Sequence, residues 1–497
     1  MTKRDTNFFT VRCSFFARLA IFEAVGVFPA TGFLRRSASS LRDWLLCPAI
    51  FAALFFAARP LAAQSFLQSA RVPDSSEIRS TLVETWFEAP LSEVRLNRAE
   101  VRVTSGGEQF QVRMEESETT FSIIVAPRAS LSVDVYTMAE KRTVVQDVYP
   151  QDAQGSWVLV RDKRTGSPRA IRYYVAADSG VYVQFTPLRE SAAGDFIILG
   201  AYAARQIPTG VPFAQFYKLS LADVVNLTRC TLPWQYMEHH SDRYDASLYM
   251  IQKIREKLPN LVYAEDAMYD EHGNPVYVTT GLPRTTHATD AGKLSLSSAG
   301  FIKWIADGIV YPLTEGALVR APLLVQTVSF DAVGYQGIMQ EKYSTSFALD
   351  WTRNIAAAIL SVYTGRTYLY AQSGVDMTAE PFTAELTAEG IKNTAGYVKN
   401  SGYEALALPS LMYAFASEYP GECYLAAIRE TDRTKSPEVQ FFSQCAIIFP
   451  YFDDNGRFQC AVFRNGAEYS LADFCKTFYG SFVHLTRMRT TKNFDPQ

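Results

Sequence analysis

Histidine is the scarcest chemically useful residue here, with five in 497 residues. That shortage limits any mechanism that needs an imidazole base. Cysteine is also sparse and irregular: seven residues, none in a CxxC pair, which speaks against a zinc site. Glycine-rich phosphate loops are absent, and Ser105-Gly-Gly107 reads as a hairpin turn instead. Neither sign of charge dominates, the net being −3, and no basic stripe carries interleaved aromatics, so nucleic acid is not an expected partner. No apolar run reaches the ~20 residues that a membrane helix needs. Charged residues make up 20% and apolar residues 48%, which excludes disorder as the dominant state. The His239-His240 pair beside Glu238 and Asp242 reads as a solvated segment, because adjacent side chains point in different directions. We therefore expect no metal and no cofactor.

What the chain does hold is unevenly placed. Residues 1–63 carry eight basic and three acidic groups, a net of +5, and the remaining residues carry −8. Within this leader, Leu45 to Ala58 is a 14-residue apolar run behind Arg35, Arg36 and Arg42. Leu61-Ala62-Ala63 follows as a small-residue cleavage site before Gln64. This is the pattern of a signal peptide, and its long n-region points to a start downstream of Met1. The alternative is an uncleaved N-terminal anchor. The expected location is the periplasm or the exterior, in the cell envelope, with no stable membrane span after cleavage. Cys230, Cys423, Cys445, Cys460 and Cys475 remain; three of them lie in short apolar runs and read as buried free thiols.

Residues 64–80 read as a linker. From 81 to 210, short alternating segments such as Phe110-Gln-Val-Arg-Met and Val181-Tyr-Val-Gln-Phe are separated by turn signals, predicting an all-β sandwich. Residues 211–285 read as a helical bridge. Ser220-Leu-Ala-Asp223 resembles a capping box, and a helix from Ser241 is stopped at Pro259. Residues 286–497 read as an α+β domain. Helices are predicted over 298–309, 346–363 and 409–417, followed by strands around 423–428, 444–449, 458–463 and 482–486. Asp453-Asp-Asn-Gly456 is the expected hairpin between two of these strands.

One stretch points to chemistry. Ser297-Ser-Ala-Gly-Phe-Ile-Lys-Trp-Ile305 resembles the nucleophile motif of the NlpC-type cell-wall cysteine peptidases, which have a papain-like fold. Pro420-Gly-Glu-Cys-Tyr-Leu resembles that family's strand entry, and Gln444-Cys-Ala-Ile-Ile-Phe its base-bearing strand. The resemblance covers residues 286–497, with an insertion at about 310–415. It implies a Cys at a helix N-terminus, activated by the helix dipole and by a strand His, attacking amides of peptidoglycan stem peptides.

This chain departs at both essential positions: Ser298 stands at the nucleophile position and Gln444 at the base position. Gln459 is a candidate for the third polar position, and His287 and His484 are candidate alternative bases. The bland reading of Ser298 is a helix N-cap, and that of His484 a satisfied strand histidine. The resemblance therefore implies a hydrolase-like fold acting as a pseudoenzyme, which binds stem peptides or an envelope protein partner. The alternatives are an active amide hydrolase using Ser298, and an envelope interaction protein unrelated to this family.

Overall fold

The chain is seen as a computed structural model that describes residues 72–136, 141–238, 241–285, 292–328, 345–394, 396–434, 436 and 438–497. The expected signal peptide, the first half of the expected linker, His239-His240 and His287 lie outside the described residues.

The first part begins with two short helices, α1 (Ser76–Ser80) and α2 (Leu91–Val94), and then runs through strands. These are β1 (Glu100–Val103), β2 (Gln109–Glu116), β3 (Thr120–Pro127), β4 (Ala129–Tyr136) and β5 (Lys141–Val148). They continue as β6 (Trp157–Asp162), β7 (Pro168–Tyr174), β8 (Val181–Leu188), β9 (Ser191–Ile198) and β10 (Ala201–Pro208). Apart from the β4–β5 hairpin, which pairs only with itself, they form one antiparallel sheet in the order β1-β2-β3-β6-β7-β8-β9-β10. The alternation read from the sequence is real: along β8 the odd positions Val181, Val183 and Phe185 are buried and their neighbours are not. The segment expected as the end of a linker is packed into this part instead. Arg79 is 1% exposed and donates to the carbonyls of Phe216, Tyr217 and Leu219, so 72–80 belongs to the folded body.

Next come α3 (Leu221–Thr228), α4 (Asp245–Lys257) and three short strands, β11 (Leu261–Tyr263), β12 (Ala267–Tyr269) and β13 (Pro275–Tyr277). The Ser220–Asp223 capping box forms in both directions. The expected bridge is thus helical with strands added. β14 (Leu294–Leu296) pairs in parallel with β11 and leads into α5 (Ser298–Thr314). The short α6 (Arg320–Leu323) precedes α7 (Phe347–Thr364), which stops at Gly365 in the left-handed conformation. α8 (Tyr370–Ser373), β15 (Ala384–Thr387), β16 (Gly390–Asn393), β17 (Tyr403–Glu404) and α9 (Leu408–Glu418) follow. The chain finishes with β18 (Glu422–Asp432), β19 (Val439–Phe452), β20 (Phe458–Arg464), β21 (Ala467–Ser470), α10 (Leu471–Thr477) and β22 (Phe482–Arg489).

These last strands build a second antiparallel sheet, ordered β17-β22-β18-β19-β20-β21. It is a middle layer. Cys423, Leu425 and Ala427 of β18 join a core with α4, α5 and α7, whereas Tyr424, Ala426 and Ile428 join a core with α9 and the first sheet. A strand buried on both faces needs a continuous apolar run, which is why 423–428 lacks the alternation of β8. The expected insertion is not peripheral. α7 packs on β18, β19 and β22, and β15–β16 extend the first sheet beyond β10 to ten strands. The expected border near 211–285 is likewise crossed by a single core, which contains Phe185 and Phe216 together with Phe415 and Ile448.

Candidate functional site

α5 begins where the resemblance places its nucleophile helix. Ser297, not Ser298, is the N-cap: its hydroxyl accepts from the Gly300 N–H at 3.2 Å and donates to the Ala267 carbonyl at 3.0 Å. Ser298 is the first helical residue and is half-buried. Gly300 has a steric reason to be glycine, since a Cβ there would lie 2.1 Å from the Ala267 carbonyl oxygen. The start of α5 is thus pressed onto β12, and Phe301, Ile302 and Ile305 run on into the core shared with Cys445, Ile447 and Phe449 of β19.

Gln444 is not on that face. Strand alternation places Cys445 and Ile447 toward α5 and α7, and Gln444 with Ala446 and Ile448 on the opposite side. A bulge opposite Ile428/Arg429, with Ser443 as the extra residue, precedes it. The Gln444 amide donates to both oxygens of Glu430 at 3.0 Å, and the Ser443 hydroxyl reaches the same carboxylate at 2.8 Å. Ser298 and Gln444 therefore do not meet. Gln459 is exposed on β20 opposite Tyr451, well along β19 from Gln444. Cys423 and Cys445 are buried and burial pushes their thiols up, so neither is a displaced nucleophile; Cys475 is raised to about 11 by the same cause. Cys460 is half-buried and Cys230 exposed.

His484 is the described histidine with structured surroundings. β22 places it opposite Ala427, on the helix-covered face, where α7 rather than α5 lies above it. Its imidazole is fully buried. Nε2 lies 3.2 Å from Arg353 Nη2, 3.3 Å from the Tyr397 hydroxyl and 3.3 Å from Asp376 Oδ2. Nδ1 is buried without a partner. Arg353, 1% exposed, grips Asp376 with two bonds, Nε to Oδ1 at 3.2 Å and Nη2 to Oδ2 at 2.6 Å. It also donates to Thr327 and Asn400 and lies 4.4 Å above the Tyr370 ring, whose hydroxyl donates to Asp376 at 2.8 Å.

Charge is unevenly distributed in this cluster. Burial opposes ionisation of Asp376, but hydrogen bonds and charge from His484 and Arg353 outweigh it and hold the carboxyl at about 2. Burial lowers the His484 imidazole below its ordinary value, with the Arg353 charge acting in the same direction and Asp376 opposing. Arg353 satisfies the carboxylate directly through its two bonds to Asp376. Charge neutrality and burial make this group a polar plug between α7 and β22. The hydroxyls and amides that touch it belong to Tyr370, Tyr397, Thr327 and Asn400; the Thr327 hydroxyl donates to Asp350 and the Tyr370 hydroxyl to Asp376.

Sequence reasoning singled out His484 but not Arg353, Asp376 or Tyr397. A signal was present: Asp350 and Arg353 stand one turn apart in a helix that is otherwise uncharged. Both are buried, and Asp350 accepts from the Thr327 N–H and hydroxyl and from Ser346.

Residues 68–236 match the family model described as Domain of unknown function (DUF8515), which spans β1–β10 and α3 and stops before the second sheet. No curated protein and no solved structure matches the chain. Among the described residues, no group of three or more His, Cys, Asp or Glu is placed to hold a metal ion. No described helix is long and apolar enough to cross a membrane.

Proposed function

We propose that the chain is an exported envelope protein whose C-terminal α+β part carries an NlpC-type, papain-like scaffold. In this reading it binds peptidoglycan stem peptides, or a peptide segment of an envelope partner, without cleaving them. The location rests on the basic leader, its 14-residue apolar run and the Leu61-Ala62-Ala63 site. The scaffold reading is supported by α5 lying on β19, the helix-on-sheet contact that the motif order requires.

One observation carries the non-catalytic part: Ser298 and Gln444 sit on different sides of the second sheet. A serine hydroxyl needs a positioned base to attack an amide, and an amide side chain held by Glu430 offers none. The test is incubation of the full chain with purified muropeptides, read by mass spectrometry for cleavage and by calorimetry for binding. Binding with intact muropeptides is the expected result. Turnover that disappears in Ser298→Ala would overturn it in favour of an active hydrolase.

A further inference from the structure

A cavity of about 610 Å³ opens between the second half of α7, the segment 373–375 and the end of β22. It contains neither Ser298 nor Gln444. Ile359, Leu360 and Tyr363 of α7, with Val375 and Met488, form its apolar side. Its other side is a strand edge. β18 pairs along the whole inner side of β22. On the outer side, β17 pairs with Phe482 and Val483, and the segment 375–377 follows as a short antiparallel strip with Asp376 opposite Thr486. The strip is held by Met377 N–H donating to the Leu485 carbonyl and Arg487 N–H donating to the Val375 carbonyl, both at 2.9 Å. Immediately before Val375 the chain is the turn of α8, closed by Gly374 in the left-handed conformation at φ +61°. Among the described residues the strip therefore ends at Val375, while β22 runs on to Arg489.

Alternation decides what this edge offers. The Arg487 N–H bonds outward, so Met488 bonds inward to β18 and Arg489 turns its N–H and carbonyl outward again. The Tyr363 hydroxyl, on the cavity wall, reaches that Arg489 carbonyl at 3.4 Å, which places the carbonyl on the cavity side. Side chains alternate as well. Met488 joins the core under α7, whereas Arg487 and Arg489 are exposed on the far face of the strand. Glu422, the cross-strand partner of Arg489, offsets one of these two guanidiniums. Arg487 leans toward the edge, with Nη2 at 3.4 Å from the Gly374 carbonyl.

An open strand edge between an apolar wall and a basic face has a complement that spans both faces, as an extended chain does. We propose that β22 accepts a peptide segment of a partner protein as an added antiparallel strand with the pattern apolar–acidic–apolar. The acidic residue lies opposite Arg489, exchanges two main-chain hydrogen bonds with it and lays its carboxylate beside Arg487 and Arg489. The residues on either side of it point to α7, into the space lined by Ile359, Leu360, Val375 and Met488. The edge lies apart from Ser298, so the proposal does not depend on the stem-peptide reading above.

Calorimetry on the full chain tests it with the peptide Ser-Leu-Glu-Leu-Ser, blocked at both ends so that only main chain and side chains contribute. N-methylation of the central Glu removes the N–H that meets the Arg489 carbonyl and should weaken binding at least about tenfold. N-methylation of the Leu that follows, whose N–H points away from β22, should change it less than about twofold. Ser in place of both Leu residues should weaken binding at least about tenfold, through loss of the apolar contacts. Lys in place of Glu should weaken it about fivefold, and Arg489→Gln should shrink that preference to about twofold. Arg489 is exposed, and a thermal melt establishes that the variant is folded. The proposal is overturned if the parent peptide does not bind at millimolar concentration, if the two N-methyl forms bind alike, or if folded Arg489→Gln keeps the full preference for Glu over Lys.

Discussion

Replacing Asp376 by Asn should destabilise this protein in a way that depends on pH. The substitution keeps shape and removes charge, leaving the Arg353 guanidinium buried beside a neutral amide. The carboxyl is held at about 2 against an ordinary 3.8, which is worth about 2 kcal/mol at pH 7 by linkage. Stranding the buried arginine brings the total toward the ~3–5 kcal/mol that removing one partner of a buried pair typically costs. We expect a loss of about 3 kcal/mol at pH 7, read as a lower urea midpoint at unchanged slope. The sign of the pH effect follows from the depressed carboxyl. Its contribution is complete above the unfolded value near 4 and is lost as pH falls through about 2. The gap between parent and variant should therefore narrow from pH 4 to pH 2. A companion Arg353→Met/Asp376→Leu variant should recover more than half of the loss, because no uncompensated charge remains. A single-variant loss below about 1 kcal/mol at pH 7, or a gap equally wide at pH 2, would refute the account of a buried, charge-paired plug.

Other consequences can be checked by similar means. Because burial lowers the His484 imidazole, the unfolded chain takes up that proton first. The parent should lose stability as pH falls below about 6.5, and His484→Gln should flatten the slope between pH 7 and 5 in urea titrations. Ser297→Ala should cost about 1 kcal/mol as a lost N-cap while Ser298→Ala stays within about 0.5 kcal/mol; equal costs in thermal melts would contradict the assignment. Gly402→Ala should cost more than about 3 kcal/mol, for its φ is +91° and a Cβ would meet the Val483 carbonyl oxygen at 2.1 Å. Gly273→Ala, at φ +78° with open space around it, should cost only about 1 kcal/mol, and denaturation of the two variants side by side decides the point. Installing the family residues as Ser298→Cys/Gln444→His should produce no cleavage of muropeptides, because the two positions lie on different sides of the sheet.

Local features were legible in the sequence because local interactions create them. The helix starting at 298, the stop at Gly365, the Ser220 capping box and the Asp453–Gly456 hairpin each depend on residues a few positions apart. Antiparallel strand-rich structure before 210 followed by helices and a second sheet was legible for the same reason, through period-2 and period-3.6 patterns. The helix expected from 298 forms and packs on the strand holding 444–449.

Tertiary structure decided which of these pieces meet. Gln444 and Cys445 are one residue apart in sequence yet belong to opposite faces, so motif order could not show that Ser298 and Gln444 are apart. His484 finds Arg353 across 131 residues and Tyr397 across 87, and Arg353 comes from the stretch that read as an insertion. Periodicity in one segment says which side is buried, not what buries it. Composition and local pattern determined a strand-rich body behind a basic, apolar leader and a chain poor in imidazole. Packing alone decided that a central histidine would be sealed among Arg353, Asp376 and Tyr397. Burial and the pairing of charges depend on distances that close only when the sheets and helices assemble.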